Sequence, residues 1–133
     1  MCGITGFIGN ENAYIQILAG LYQLQNRGYD SAGISVIEDG EIKTHKYAST
    51  DTLSALTQLS EFENKYDSCF GGIGHTRWAT HGAKTDTNSH PHISHDGLFS
   101  LVHNGIIENF QEIKKQLMEK GIEMKSQTDT EVI

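Results

Sequence analysis

Cysteine, proline, basic charge and long apolar runs are all scarce in this chain of 133 residues. Two cysteines, Cys2 and Cys69, do not make a disulfide framework, so we expect a reducing, cytoplasmic environment. Ten lysines and arginines stand against 17 aspartates and glutamates, and the net charge of −7 disfavours nonspecific binding to nucleic acid or to anionic membranes. No apolar stretch approaches the roughly 18 residues that span a bilayer. Residues 1–6 lack the basic and apolar segments of a secretory signal, and none is expected.

The composition that remains is that of a globular protein. With 37% hydrophobic and 20% charged residues, the chain fits neither a disordered tail nor a fibre. Its length alone predicts one compact domain with a single core.

Apolar periodicity predicts a mixed α and β chain in which adjacent strands are often joined by hairpins. Asp39-Gly40 between two strand-like runs is a strong hairpin signal. Asn109 followed by Glu112 resembles a capping box, and Gly121 suits the end of the helix that follows it. The predicted strands are residues 3–9, 33–38, 41–47, 70–76, 98–103 and 122–126; the predicted helices are residues 12–25, about 53–62 with Thr50, Asp51 or Thr52 as N-cap, about 109–120, and a first turn at 128–133.

Cys2 is the first candidate for chemistry. Removal of Met1 would leave the Cys2 thiol beside its own α-amine. That amine has an ordinary pKa of about 7.7–8.0 against about 8.5 for a thiol, so the two groups form a nucleophile with its own base. The alternative is an ordinary cysteine near the start of the chain.

Six of the seven histidines lie between His75 and His103. His90, His92 and one further histidine could ligate zinc, but none of the usual zinc-site spacings is present. Histidines that serve as hydrogen-bond partners in polar loops are the favoured interpretation. We therefore expect no metal and no cofactor.

Two further segments carry groups suited to a substrate pocket. Arg77-Trp78 follows a predicted strand, and its guanidinium fork and indole suit a carboxylate and a rigid wall; the alternative is a surface ion pair and a half-buried aromatic. Asn104-Gly105 follows another strand and offers adjacent amide donors for an oxyanion hole. Its alternative is a plain tight turn.

Taken together in order, these segments closely resemble the glutaminase domain of the glutamine–fructose-6-phosphate aminotransferases, or glucosamine-6-phosphate synthases, which are class II amidotransferases. The segments that carry the resemblance are Cys2-Gly3-Ile4, Arg27-Gly28-Tyr29-Asp30-Ser31-Ala32-Gly33, His75-Thr76-Arg77-Trp78-Ala79-Thr80-His81-Gly82, His90-Pro91-His92, Val102-His103-Asn104-Gly105-Ile106-Ile107-Glu108-Asn109 and Thr128-Asp129-Thr130-Glu131-Val132-Ile133. The resemblance implies an α+β N-terminal-nucleophile hydrolase fold, a four-layer αββα sandwich. Residues 1–133 would be a C-terminally truncated part of it, without the sugar-phosphate isomerase region.

The resemblance also implies a reaction, with L-glutamine as the substrate. Its side-chain amide would be hydrolysed to glutamate and ammonia through a thioester, and the isomerase region of the longer enzyme would use the ammonia in amino-sugar biosynthesis. The implied catalytic residues are Cys2, Asn104 and Gly105; the implied substrate-binding residues are Arg77, Trp78, Thr80, His81, His90 and Asp129; the implied supports are Arg27 and Gly28. The alternative is a noncatalytic, truncated fragment of the same fold that binds glutamine or regulates. The oligomeric state cannot be predicted from the sequence.

Overall fold

A computed structural model describes residues 2–25, 29–79 and 82–133. Within those ranges the chain forms two antiparallel sheets, three α-helices and one short 3₁₀ helix. The elements in chain order are β1 (Gly3–Ile8), α1 (Ala13–Leu24), β2 (Ser31–Glu38), β3 (Glu41–Ala48), α2 (Ala55–Ser60), β4 (Gly71–Arg77), β5 (His92–Ile93), β6 (Ser100–Leu101), α3 (Phe110–Glu119) and the 3₁₀ helix (Thr130–Val132).

The larger sheet has the strand order β1-β4-β2-β3, and each neighbouring pair is antiparallel. Asp39 and Gly40 take positive φ angles of 52° and 77°, which matches the twist of a two-residue hairpin and confirms the predicted β2–β3 turn. Gly3 of β1 lies opposite Thr76 of β4. The start of the chain is therefore held against the end of β4, and residue 2 meets residue 78.

Helices α1 and α2 pack on one face of this sheet and form the core. Its largest fully buried apolar side chains are Tyr14, Ile17, Leu21, Ile34, Val36, Leu56 and Leu59. Glycines allow α1 to lie close to β4. A Cβ placed on Gly74 would lie 2.5 Å from Ile17 Cγ2, well inside van der Waals contact. No helix within the described residues has the length and apolar character needed to cross a membrane.

Side chains cap the N-termini of the first two helices. Asn12 accepts a hydrogen bond from the Ile15 N–H (3.2 Å) and caps α1. The N-cap of α2 is Ser54, so the predicted caps at Thr50, Asp51 or Thr52 are wrong. Thr50 instead accepts the Leu53 N–H (3.0 Å) and closes the turn before the helix.

The third helix ends as predicted but begins without the predicted capping box. The Asn109 side chain makes no capping hydrogen bond, so that prediction is wrong. Gly121, with φ 83°, ends α3, and the Ile122 N–H donates to the Leu117 carbonyl (3.0 Å) in the manner of a Schellman motif.

Two predicted strands differ in the structure. The strand at 98–103 is reduced to Ser100–Leu101, and the segment 122–126 is not a strand. Glu131 explains the second difference: its carboxylate accepts the Lys125 and Ser126 N–H groups (2.7 and 2.6 Å), where a strand would need a neighbouring backbone. The predicted first helical turn at 128–133 is the short 3₁₀ helix.

Replacing Gly74 with alanine tests the close approach of α1. Because the new Cβ would clash with Ile17 Cγ2, a methyl group attached directly to the branched Cβ and therefore limited in its movement, we expect the free energy of unfolding to fall by about 1–3 kcal/mol. Gly71→Ala in the same strand is the matched control, since its Cβ meets only the Phe7 carbonyl oxygen at 3.9 Å. Urea titrations of both variants give the comparison, and equal losses would contradict the packing argument.

Candidate active site

The Cys2 thiol lies where the start of β1 meets the end of β4. The Trp78 backbone N–H donates to Cys2 Sγ at 3.1 Å. One residue further into the sheet, the Gly3 N–H donates to Thr76 Oγ1, also at 3.1 Å. The thiol is partly exposed, so a small molecule can reach it. A sulfur held by a backbone donor in an accessible position is suited to act as a nucleophile.

Asn104 contacts the same residue through its side-chain amide. Its Nδ2 donates to the Cys2 carbonyl oxygen at 3.1 Å, and its Oδ1 lies 2.8 Å from His75 Nε2. Gly105 follows directly, and a Cβ there would lie 2.7 Å from the His103 ring. The structure thus brings the amide donor of Asn104 to the residue that carries the thiol.

Asp129 and Arg77 supply the charges near this point. Asp129 Oδ2 accepts the Ile107 N–H at 2.7 Å, which ties the carboxylate to the loop after Asn104. Arg77 is only 3% exposed, and its Nη1 donates to the Ala83 carbonyl at 3.2 Å. Burial lowers the pKa of Arg77 from its ordinary value, while the negative charges of Asp30, Cys2 and Asp129 oppose that change. The Arg77 guanidinium therefore lies near the carboxylates of Asp30 and Asp129.

Asp30 is a residue of this site to which the sequence interpretation gave no role. Its Oδ2 accepts the Ala79 N–H at 2.5 Å, and its own N–H donates to the Arg77 carbonyl at 2.8 Å. The end of β4 is thereby fixed on both sides of Trp78. The only sequence signal was its place in the Arg27–Gly33 segment of the resemblance.

Of the other predicted site residues, Trp78 and His90 lie within the described ranges. Trp78 is 53% exposed and forms a rim, with Lys84 Nζ 5.9 Å from the centre of its ring. His90 is buried, and its ring lies behind His75, on which it stacks. Met1, Arg27, Gly28, Thr80 and His81 lie outside the described residues.

His75, His90 and His92 form a buried column, which we call the histidine column. The His75 and His90 rings stack at 4.2 Å between centroids, and the His92 ring meets His90 edge-on at 4.7 Å. Burial lowers the pKa of His75 to about 4, of His90 to about 2 and of His92 to about 4. All three are therefore neutral at pH 7.

Lys46 holds the loop that carries His90. Its Nζ donates to the carbonyls of Ser89 (2.9 Å), Pro91 (3.1 Å) and Thr87 (3.3 Å). Burial lowers the pKa of Lys46 to about 8.

Within residues 2–25, 29–79 and 82–133, no group of three or more histidines, cysteines or acidic residues is arranged to hold a metal ion.

The histidine column makes stability depend on pH from about 6.5 down to about 4 for His75 and His92, and down to about 2 for His90. Unfolding frees each imidazole to take up a proton below its ordinary pKa of 6.5, so the unfolded state binds more protons and stability falls as the pH is lowered. His90→Phe keeps a stacked ring without titration and should remove about 2 kcal/mol of the fall between pH 7 and pH 5. Urea titrations at both pH values measure this change.

His95 is the matched control for this prediction because its side chain is exposed. His95→Phe should leave the fall unchanged. An equal effect of the two substitutions would show that the column does not bind protons on unfolding as proposed.

Comparison with known proteins identifies a family model and several enzymes to which this chain is similar. A family model described as "Glutamine amidotransferase domain" matches residues 60–133. The chain is 50% identical to the glutamine–fructose-6-phosphate aminotransferase (isomerizing) of Clostridium perfringens and 51% identical to that of Caldanaerobacter subterraneus; 100% of this chain and 21% of each relative are covered. The chain thus spans about a fifth of the length of these relatives.

Solved structures agree with the sequence comparison. A glutamine phosphoribosylpyrophosphate amidotransferase from B. subtilis, complexed with ADP and GMP, is 29% identical with a TM-score of 0.76, over 99% of this chain and 28% of that one. An allosteric regulatory enzyme of purine biosynthesis is 28% identical with a TM-score of 0.77 at the same coverage. These likenesses confirm the expected α+β fold of the N-terminal-nucleophile hydrolase type. Because the family model covers more than half of the chain, we conclude that the chain belongs to the glutamine amidotransferase domain family.

Proposed function

We propose that this chain hydrolyses the side-chain amide of L-glutamine to glutamate and ammonia through a thioester on Cys2. The observation that carries the proposal is the convergence of two groups on one residue. The Trp78 N–H holds the Cys2 sulfur at 3.1 Å, and the Asn104 Nδ2 donates to the carbonyl of the same cysteine at 3.1 Å. A nucleophile and an amide donor for the developing oxyanion are thus adjacent.

The steps of this reaction follow from those positions. Once Met1 is removed, the Cys2 α-amine takes the thiol proton, directly or through a water, and Sγ attacks the amide carbon of glutamine. Asn104 Nδ2 and the Gly105 N–H stabilise the oxyanion. The ammonium of Cys2 returns the proton to the leaving nitrogen, ammonia departs, and water hydrolyses the thioester to glutamate. A retained Met1 would convert the amine into an amide, which is not a base.

Arg77 and Asp129 are proposed to bind the amino-acid end of the substrate. A guanidinium presents its N–H donors as a planar fork that suits a carboxylate. A carboxylate has about four lone-pair sites, so Asp129 can bind an ammonium while it accepts the Ile107 N–H. Arg77 would bind the α-carboxylate and Asp129 the α-ammonium, which leaves the amide over Cys2. Trp78 would form the wall of the pocket. The remaining proposed members are Thr80 and His81 in the pocket and Arg27 and Gly28 as supports around the cysteine. His90, which the resemblance assigns to the pocket, stacks behind His75 and is proposed to act through that ring.

The glutamine–fructose-6-phosphate aminotransferases that the chain matches indicate what the ammonia is for. We propose that it passes to a sugar-phosphate isomerase region of a longer protein. There it would convert fructose-6-phosphate to glucosamine-6-phosphate for amino-sugar biosynthesis, in the cytoplasm.

A glutamine-mimicking electrophile tests the nucleophile. A chloroketone analogue of glutamine should alkylate Cys2 with loss of chloride, and intact mass spectrometry of the Met1-free chain should show one adduct. Cys2→Ala should abolish the adduct, and an excess of glutamine should slow its formation. Cys69→Ala is the matched control, because Cys69 is buried and its thiol hydrogen-bonds to Asn12 Oδ1 (3.4 Å).

Each other result has a definite meaning. A folded, Met1-free chain that forms no adduct would contradict the proposed hydrolysis. Glutamine binding without an adduct or glutamate release would identify the chain as a noncatalytic glutamine-binding fragment.

Arg77→Gln tests how the substrate is recognised. A charge-assisted hydrogen bond contributes about 1.5–3 kcal/mol, so the variant should lose roughly 10- to 150-fold in kcat/KM for glutamine, mainly through KM. Glutaminamide, whose α-carboxylate is replaced by a neutral amide, separates recognition from folding. The unsubstituted chain should prefer glutamine over glutaminamide, and Arg77→Gln should lose this preference. A preserved preference would show that another group binds the carboxylate.

A further inference from the structure

The orientation of the Asn104 side chain can be deduced from its neighbours. An asparagine amide has two flipped orientations of nearly equal shape, with an acceptor at one end and a donor at the other. The Cys2 carbonyl can only accept, so the group 3.1 Å from it must be Nδ2. Oδ1 therefore faces His75, and since this oxygen can only accept, His75 Nε2 must carry the proton across the 2.8 Å contact.

The surroundings of His75 agree with that tautomer. The ring is fully buried on β4, and its Nδ1 has no hydrogen-bond partner among the described residues. The His103 backbone lies close enough to the ring to raise its pKa, but no hydrogen bond from Nδ1 has normal geometry, so a proton there would lack a well-placed acceptor, at a cost of about 1–3 kcal/mol. Burial also lowers the pKa of His75 to about 4, so the ring stays neutral at pH 7. The neutral form with its proton on Nε2 is the one that leaves no buried donor unpaired.

The His75 ring is also fixed in position. His90 stacks on it with an interplanar angle of 16°, and His92 closes the column edge-on. His90 can come this close to the sheet because residue 33 is glycine: a Cβ there would lie 2.1 Å from the His90 carbonyl oxygen. On the far side, Thr128 Oγ1 lies 2.8 Å from His92 Nε2. A donor at the end of a packed column has little freedom to turn away from Asn104.

We propose that His75 is a positioning residue for the oxyanion hole: its Nε2–H binds Asn104 Oδ1 and holds the amide with Nδ2 towards Cys2. This role rests on the proposed glutaminase function. Nδ2 carries two N–H donors, so one can remain on the Cys2 carbonyl while the other binds the oxyanion. The flipped amide would instead present Oδ1 to a developing negative charge. His75 prevents that state without touching the substrate.

Substitutions of His75 that differ in hydrogen-bond donation test this role in the full chain. His75→Leu removes the donor, and His75→Gln offers an N–H near the former Nε2. Removing one oxyanion donor costs about 10²–10³ in kcat, so a misoriented donor should cost roughly 10- to 100-fold. We expect this loss in kcat for His75→Leu with KM nearly unchanged, and recovery to within several-fold in His75→Gln. In an Asn104→Ala background, His75→Leu should add little further loss.

Nitrogen-15 spectra provide a readout that does not require turnover. They should show the His75 proton on Nε2 at pH 7. The Asn104 Nδ2 signals, assigned with Asn104→Ala, should shift in His75→Leu and return in His75→Gln. Thermal unfolding identifies a variant that fails to fold; His75→Asn, whose amide is too short to reach, then replaces His75→Leu.

The two hypotheses fail in different ways. A proton on Nδ1, unchanged Asn104 signals in His75→Leu, or independent losses from His75→Leu and Asn104→Ala would overturn the positioning role. If the unsubstituted, Met1-free chain releases no glutamate, the proposed function fails instead, and the spectra still decide whether His75 orients Asn104.

Discussion

The antiparallel pairing of β1 with β4 is the constraint on which the rest of the site depends. Gly3 lies opposite Thr76, two segments 73 residues apart, so Cys2 and Trp78 meet only when this long-range register forms. The register leaves room for no side chain at position 3, where a Cβ would lie 2.8 Å from Leu24 Cδ1 and 2.9 Å from Thr76 Oγ1. A slip by one residue would turn every side chain of β1 to the other face and remove the thiol from its donor.

The other edge of β4 fixes the charged groups by the same means. Ser31 of β2 lies opposite Arg77, which places Asp30 beside the residues that follow β4. Asp30, just before β2, accepts the Ala79 N–H (2.5 Å), and Cys2, just before β1, accepts the Trp78 N–H at its sulfur. Two successive N–H groups after β4 therefore bind the residues that precede its two neighbouring strands. One sheet end therefore determines both where the nucleophile lies and where a substrate carboxylate could bind.

Local signals in the sequence predicted local structure, and they failed where a distant partner decides. The Asp39-Gly40 hairpin and the Gly121 stop depend on residues a few positions apart, and the structure has both. The segment 122–126 has the apolar character of a strand, but the Glu131 carboxylate occupies its N–H groups. Of the residues expected at the site, their own chemistry indicated Cys2, Arg77, Trp78, Asn104 and Gly105, and the resemblance added the others. That His90 lies behind His75 could not be predicted, because it depends on the space above Gly33.

The neutrality of the histidine column has a consequence for the oxyanion. A positively charged imidazole behind Asn104 would also stabilise negative charge, but burial lowers the pKa of His75 to about 4, so the column supplies fixed dipoles at pH 7. Fixed dipoles need no reorganisation when the oxyanion forms, which is the condition for large electrostatic stabilisation. A positive charge lies on the half-buried Lys46, whose ammonium donates to three backbone carbonyls of the loop that carries His90. Removing that ammonium would leave those carbonyls unpaired and free the loop that carries His90. Lys46 therefore acts on the column in two ways: it holds this loop, and its charge helps burial to lower the pKa values of His90 and His92.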